Sequence, residues 1–320
     1  MSPSGQGVGR SPVLQAVDRF AGAFLTRHRQ VTVACSGGAD SLALAAAAVT
    51  VLGPERVAGV TIDHGLQSGS AAQAERVRDQ LRALGYRTAE IRAVQVTGGG
   101  GPEAAARAAR YAALDPGPDG AVLLAHTLDD QAETVLLGLG RGSGPRSIAG
   151  MRPWRPPWGR PLLGVRRADT ENYCVEMNVT AWRDPHNLNP RYTRVRLRRE
   201  VLPLLEDVLG GGVAPALART AQLLAADLTA LDEIAERALG EVDADGELDL
   251  RALRAHPAAV RTRVLRSWLT AHGVLELTHG HLSRLDELVT GTGRDGVGVR
   301  LPGTVDAVRD SGRLIVRKVR

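Results

Sequence analysis

Residues 31–49, VTVACSGGADSLALAAAAV, join a β-branched apolar run to an alanine-rich one through Ser36-Gly37-Gly38. A strand that ends in Ser-Gly-Gly and enters a helix sets bare backbone N–H groups at the helix N-terminus. Glycine lets that backbone approach an anion closely, and the helix dipole favours negative charge there. Ser36 and Ser41 add hydroxyl donors for phosphate oxygens. Asp40 beside an anion makes sense only with a metal ion between them. The spacing is neither G-x-x-x-x-G-K-[ST] nor G-x-G-x-x-G, so two common nucleotide loops are excluded.

The pattern around this turn fixes the fold class. Short β-rich runs at 31–35, 57–62, 88–94 and 121–125 alternate with helical stretches at 40–52, 70–84 and 103–114. That rhythm predicts an α/β fold, a doubly wound, mostly parallel sheet with helices on both faces. Ligands of such sheets bind at the carboxyl ends of the strands, where the glycine turn begins. The segment MRPWRPPWGRPLLGVRR (151–167) reads as irregular because of its prolines. After residue 212 the pattern changes to amphipathic helices at 213–240, 251–271 and 279–290. Strands follow, with a turn at Asp310-Ser311-Gly312. The expected organisation is a flexible N-terminus and first helix (1–29), a nucleotide-binding catalytic domain (30–212) and a smaller, mainly helical C-terminal domain (213–320).

A second cluster follows the fourth strand, in LAHTLDDQAETVLLGLGRGSG (124–144). Asp129, Asp130 and Glu133 share one face of the first helical turns. Three carboxylates so close repel one another, and the helix dipole offsets only part of that cost. Something cationic belongs among them: a magnesium ion, an amine, or both. A third stretch, GPEAAARAARYAAL (101–114), puts Glu103, Arg107 and Arg110 on one helical face. They form either a surface ion pair or a guanidinium aimed at phosphate.

Charge is unevenly spread. The net charge is +5, yet residues 141–200 hold 13 arginines against five acids, and the remainder is net acidic. That clustering points to a polyanionic partner. The two cysteines, Cys35 and Cys174, lie in no metal-ligand spacing. They exclude a disulfide framework and indicate a cytoplasmic protein. No apolar run is long enough to span a membrane. His279 and His281 lack further ligands for zinc. Trp154 and Trp158 either anchor the proline-rich loop or stack on exposed bases.

Ser36-Gly37-Gly38-Ala39-Asp40-Ser41 resembles the SGGxDS pyrophosphate loop of the ATP-pyrophosphatase (PP-loop) superfamily, whose members cleave ATP to AMP and pyrophosphate by adenylating a carbonyl oxygen. The rest of the chain narrows this to a resemblance to the tRNA(Ile)-lysidine synthetases, over about 30–206. The residues that carry it are Asp63-His64-Gly65-Leu66, the E-x-x-x-R-x-x-R-Y run from Glu103 to Tyr111, LDDQAET with RGSG (141–144), RPLL (160–163), WRDPHN (182–187) and RYTRVRLRREVLPLL (191–205).

The resemblance implies an adenine nucleotide α-hydrolase-like fold and an ATP-dependent ligase with Mg2+. Free L-lysine is joined to C2 of the wobble cytidine in the CAU anticodon of tRNA(Ile), changing codon recognition from AUG to AUA. It further implies that Ser36, Gly37, Gly38, Ala39, Asp40, Ser41, His64 and His126 hold the nucleotide, with Asp40 and Asp129 toward the metal. Arg110 stabilises charge in transfer. Asp130 and Glu133, helped by Asp129, hold the lysine amine. Arg107, Arg194 and Arg198 contact substrate, and the C-terminal domain recognises tRNA. A homodimer is left open. Three positions depart from the family pattern: Thr127 for a second histidine, His186 for a serine and Val195 for an asparagine. The alternatives are a tRNA thiolase of the same superfamily, disfavoured by two isolated cysteines, and a tRNA-binding protein without turnover.

Overall fold

The computed structural model describes residues 11–318 apart from 64, 66–68, 95–101, 118, 143, 183, 185–188 and 293. His64 and His186 therefore lie outside the described residues. By internal contacts the chain divides into two units, Met1–Leu223 and Leu224–Arg320.

The first unit opens with α1 (Pro12–Phe24), β1 (Val31–Ala34), α2 (Ala39–Leu52), β2 (Val57–Asp63), α3 (Ser70–Ala83) and β3 (Thr88–Ala93). It continues with α4 (Pro102–Ala113), β4 (Ala121–Leu123), α5 (Leu128–Arg141) and the short α6 (Pro145–Ile148). Then come β5 (Trp154–Arg155), β6 (Trp158–Gly159), α7 (Arg167–Glu176), α8 (Thr193–Arg196) and α9 (Leu202–Val208), with a π turn at Leu197–Val201 between the last two. The strands form one sheet in the order β3-β2-β1-β4-β6-β5. All neighbours are parallel except β5 with β6.

Side-chain alternation explains why these runs become strands covered on both faces. Val31 and Val33 of β1 and Ala121 and Leu123 of β4 enter a core with α1, α2, α3 and α7. Val122 and Leu124 point the other way, into a smaller core with Val60 and Leu114, against which Tyr111 of α4 packs. In α2 every residue from Ser41 to Ala48 is buried, which is why that stretch lacks a polar face.

The strand order has a direct consequence. The chain leaves β1 through α2 to reach β2 on one side, whereas β4 lies on the other side of β1. The switch point falls between β1 and β4, and the loops after both strands open on the same crevice.

The proline-rich segment corrects the expectation of irregular structure, because it supplies the sheet's last two strands. Its carbonyls do the pairing. Val122 N–H donates to Pro157 O and Leu124 N–H to Gly159 O, both at 2.8 Å. Proline lacks a donor but keeps an acceptor, so it is tolerated at a sheet edge. Trp154 is packed among Phe20, Phe24 and His28, and Trp158 meets the Tyr111 ring edge-on at 4.6 Å. Both indoles anchor the hairpin.

The division into units falls inside α10 (Val213–Val242) rather than at residue 212. The first turns of that helix belong to the first unit, because Val213, Ala214 and Leu217 pack with Ala132 of α5 and Leu202 of α9. The second unit contains β7 (Asp243–Ala244), β8 (Glu247–Asp249), α11 (Leu250–Arg254), α12 (Ala258–Ala271), α13 (His279–Thr290), β9 (Gly298–Leu301), β10 (Val305–Asp310) and β11 (Arg313–Lys318). Its strands form an antiparallel sheet, β7-β8-β11-β10-β9. The β10–β11 turn uses Ser311 and Gly312 at φ +49° and +80°, where the sequence places Asp310-Ser311-Gly312. Among the described residues no single helix is long and apolar enough to cross a membrane.

Candidate active site

The loop after β1 is held by its serines. Ser36 N–H donates to Ser41 Oγ at 3.1 Å, and Ser41 Oγ donates to Gly38 O at 2.9 Å. The two glycines differ in what they require. Gly37 has φ +85°, and a Cβ there would lie 2.6 Å from Val77 Cγ2 and 3.0 Å from Gln73 Nε2. The fold itself demands glycine at that position. Gly38 has φ −74°, and an added Cβ would meet nothing closer than Ser36 Oγ at 3.8 Å. The fold gives no reason for glycine at 38; space over the first amides of α2, which no side chain caps, does.

The loop after β4 supplies the acids. Thr127, the N-cap of α5, makes a capping box with Asp130: its N–H donates to Asp130 Oδ2 at 2.9 Å, and its Oγ1 accepts from Asp130 N–H at 3.4 Å. The departure from a second histidine thus serves as a helix cap. Asp130 and Glu133 face the crevice, and Glu133 is completely buried at 0% exposure.

The cations among these acids are arginines. Arg167, the first residue of α7, donates from Nε to Asp40 Oδ2 at 3.2 Å and from Nη2 to Asp130 Oδ1 at 2.8 Å; its Nη1 lies 3.9 Å from Glu133 Oε1. Arg198 donates to Glu133 Oε1 at 2.7 Å and to Asp130 Oδ1 at 3.3 Å. Arg194, one turn earlier, sits 3.6 Å from Glu133 Oε2. Thr170 donates to Asp40 Oδ1. Asp129 stands slightly apart: it accepts from Arg167 N–H at 2.7 Å and pairs with Arg166 at 3.1 Å, tying the start of α7 to α5. A cavity of about 160 Å³ lies against Asp129, Glu133, Arg166, Arg167, Arg198 and Glu206, with Leu202 and Pro203 as apolar wall.

Burial and charge set the protonation states. Burial pushes the Asp40 carboxyl above the usual range, against the pull of Arg167 and Thr170. Burial acts on Asp130 in the same sense, but Arg167, the Thr127 N–H and His126 outweigh it and hold Asp130 below its ordinary value. His126 is lowered to about 4, first by burial and then by nearby arginines, so its ring is neutral at neutral pH. Of the buried side-chain atoms that lack a hydrogen-bond partner among the described residues, His126 Nδ1 and Glu133 Oε2 belong to the predicted site residues and mark open valences there.

Ser36, Gly37, Gly38, Ala39, Asp40, Ser41, His126, Asp129, Asp130, Glu133, Arg194 and Arg198 thus come from the loops and helices around the switch point. Arg107 and Arg110 are exposed on α4, their guanidinium carbons 4.9 and 5.9 Å from the centre of the Tyr111 ring. Arg166, Arg167 and Thr170 went unnoticed in the sequence. The 141–200 charge excess is the available signal; it points to a polyanion, whereas Arg166, Arg167, Arg194 and Arg198 face the carboxylates of the site. Cys174 is not without a partner; its Sγ donates to Ala39 O at 3.3 Å, packing α7 on the glycine turn. Val195 is buried, and its backbone N–H donates to Tyr192 O at 2.9 Å, a packing position.

Magnesium fits one of its two expected ligands. No group of three His, Cys, Asp or Glu residues among the described ones could form a complete site. Mg2+ is commonly held by one or two carboxylates together with substrate phosphates, however. Asp40, beside the anion-binding turn and balanced by an exchangeable guanidinium, suits that role. Asp129, engaged with α7, suits it less.

Comparison with known proteins agrees with this geometry. A family model described as a PP-loop domain matches residues 11–205, and one described as a TilS substrate binding domain matches 248–315. The tRNA(Ile)-lysidine synthase of Mycobacterium bovis is 54% identical over 311 residues, covering 95% of each chain. That of Rhodococcus erythropolis is 54% identical over 307 residues, covering 94% of each. Among solved structures, the U34-tRNA thiolase NcsA from Methanococcus maripaludis, with its [4Fe-4S] cluster, covers 66% of this chain and 78% of its own. Its TM-score is 0.53 at 16% identity, a likeness of fold alone.

Proposed function

The chain belongs to the tRNA(Ile)-lysidine synthase family, and from that membership we propose that it joins L-lysine to the wobble cytidine of the CAU anticodon of tRNA(Ile) at the expense of ATP. The observation that carries this is the meeting, at one switch point, of an uncapped glycine turn and a buried acidic face. An ATP-dependent ligase of this kind needs both an anion seat and an amine seat.

In the first step the C2 oxygen of cytosine attacks the α-phosphorus and pyrophosphate leaves. Amides and hydroxyls of residues 36–41 receive the pyrophosphate, and Asp40 is the residue that would hold a magnesium ion bound with the triphosphate. When bound, that ion screens phosphate charge. His126, neutral and with Nδ1 open, orients the adenylate. Arg110 and Arg107 reach phosphate oxygens from α4.

In the second step the lysine amine attacks C2 and AMP leaves. Asp130 and Glu133 receive the ammonium, and Glu133 Oε2, the acceptor with a free valence, takes the proton whose loss frees the attacking lone pair. Arg194, Arg198 and the exposed arginines at 141, 146, 152, 155 and 191 follow tRNA phosphates. The second unit reads the tRNA body, and the reaction takes place in the cytoplasm. The thiolase alternative is disfavoured by the family to which the chain belongs and by the burial of both cysteines.

The test is mass analysis of tRNA(Ile) incubated with the protein, ATP, magnesium and lysine. The expected product gains one lysine less one water at the anticodon, and Asp40→Ala and Arg110→Ala abolish it. An unchanged tRNA, or one that gains sulfur, overturns the proposal.

A further inference from the structure

Arg167 belongs to none of the roles assigned above, yet it touches more of the site than any residue that does. Its three nitrogens address carboxylates on two helices: Asp40 of α2, and Asp130 and Glu133 of α5. Those are the groups that the proposed function gives to the magnesium-bound triphosphate and to the lysine ammonium. One guanidinium therefore stands at both ligand seats at once, and it cannot keep its place when either is filled.

We propose that Arg167 couples the two seats: it occupies the amine site until the nucleotide binds, then turns onto the triphosphate and releases Asp130 and Glu133 to lysine. This rests on the proposed function. The anion gives Arg167 a better partner than a carboxylate it must share, since guanidinium binds phosphate oxygens in a planar, bidentate way. Only the side chain needs to move. The backbone of α7 is fixed independently, by Arg167 N–H on Asp129, Thr170 on Asp40 and Cys174 on Ala39 O. Arg198 also covers Asp130 and Glu133 but makes no contact with Asp40 among the described interactions, so it carries no link to the nucleotide seat. Arg167 is thus a positioning residue that sets the order of binding. By linkage, whatever nucleotide does for lysine, lysine does for nucleotide.

Calorimetric titration of L-lysine into the protein, with and without Mg2+ and α,β-methylene-ATP, reads this coupling. In the wild type the nucleotide analogue is expected to tighten lysine binding by about tenfold or more, within the usual range of site–site coupling. In Arg167→Met the ratio is expected to fall to near one, with lysine binding to the empty protein as tightly as to the loaded one. Arg198→Met is expected to keep the wild-type ratio, and Arg167→Lys part of it. A wild-type ratio of one overturns the inference, as does an undiminished ratio in Arg167→Met. Should that variant not fold, an undiminished ratio in Arg167→Lys does the same. Lysine addition to tRNA(Ile), measured in parallel, separates the two levels. Product formed with a ratio of one removes only the coupling; neither lysine binding nor product removes the proposed function, and the coupling with it.

Discussion

Two arginine–carboxylate groups in this molecule are built from the same side chains to opposite effect. In the second unit, Arg261 of α12 grips Asp286 of α13 through Nε at 2.7 Å and Nη2 at 2.8 Å, one cation to one anion. In the first unit's cluster around Glu133 the partners are shared. Arg167 faces three carboxylates, Glu133 is approached by three guanidinium groups, and Glu133 Oε2 still lacks a hydrogen bond. This closed bidentate pair, whose remaining Nη1 donates to His256 O at 2.7 Å, holds two helices together. A shared, incompletely satisfied network in a buried crevice costs stability, and it makes sense where ligands complete it.

That contrast can be broken most sharply at Glu133. Glu133→Ala is expected to lower lysine transfer to tRNA by about a hundredfold to a thousandfold, the size of losing a group aimed at reacting charge. The protein should stay folded, as judged by its far-ultraviolet circular dichroism. A variant that unfolds instead would make the cluster structural, like its counterpart.

The glycines give the next largest effect. Gly37→Ala is expected to cost about 1–3 kcal/mol in denaturant titration, because the left-handed backbone and the Val77 contact both oppose it. Gly38→Ala should leave stability within about 0.5 kcal/mol, the norm for a site without steric conflict, while weakening nucleotide binding. Equal losses of stability at the two positions would remove the case for an anion over Gly38.

In the second unit, Arg261→Met is expected to lower stability by about 1–3 kcal/mol, as for loss of a charge-assisted bond. Lysine transfer per folded molecule should be unchanged.

The smallest effect concerns pH. The folded protein holds His126 near 4, below its ordinary 6.5. The unfolded chain therefore takes up the proton first. This group's contribution is complete above about 6.5 and is lost as pH falls toward 4, by at most about 1.4 kcal/mol per pH unit. Thermal melts at pH 7 and 5 should show a smaller drop for His126→Asn than for the wild type.

Much of this was legible from local pattern. The alternation of Val31 and Val33 with Ala34, and of Leu123 with Val122 and Leu124, fixes both the strands and their two covered faces. The serine–glycine turn and the acidic face are each contiguous in sequence and carry their chemistry on the surface of the pattern. What escaped depends on distance along the chain. Arg167 and Thr170 reach Asp40 across separations of 127 and 130 residues, and no local spacing reports such a meeting. An excess of arginine then looks the same whether it faces solvent or buried acids. The edge hairpin was hidden by its prolines, whose carbonyls pair even though their nitrogens cannot. The first turns of α10 look like the start of a new domain by composition, but their apolar side chains complete the core beneath α5.

The most direct test is a crystal structure of the protein soaked with α,β-methylene-ATP, magnesium and L-lysine. The phosphates are expected on the amides of residues 36–41, with Arg167 turned onto them and the lysine ammonium within hydrogen-bond distance of Glu133 Oε2. Phosphates lodged elsewhere, or Glu133 still engaged only by arginines with lysine bound at another place, would contradict that expectation.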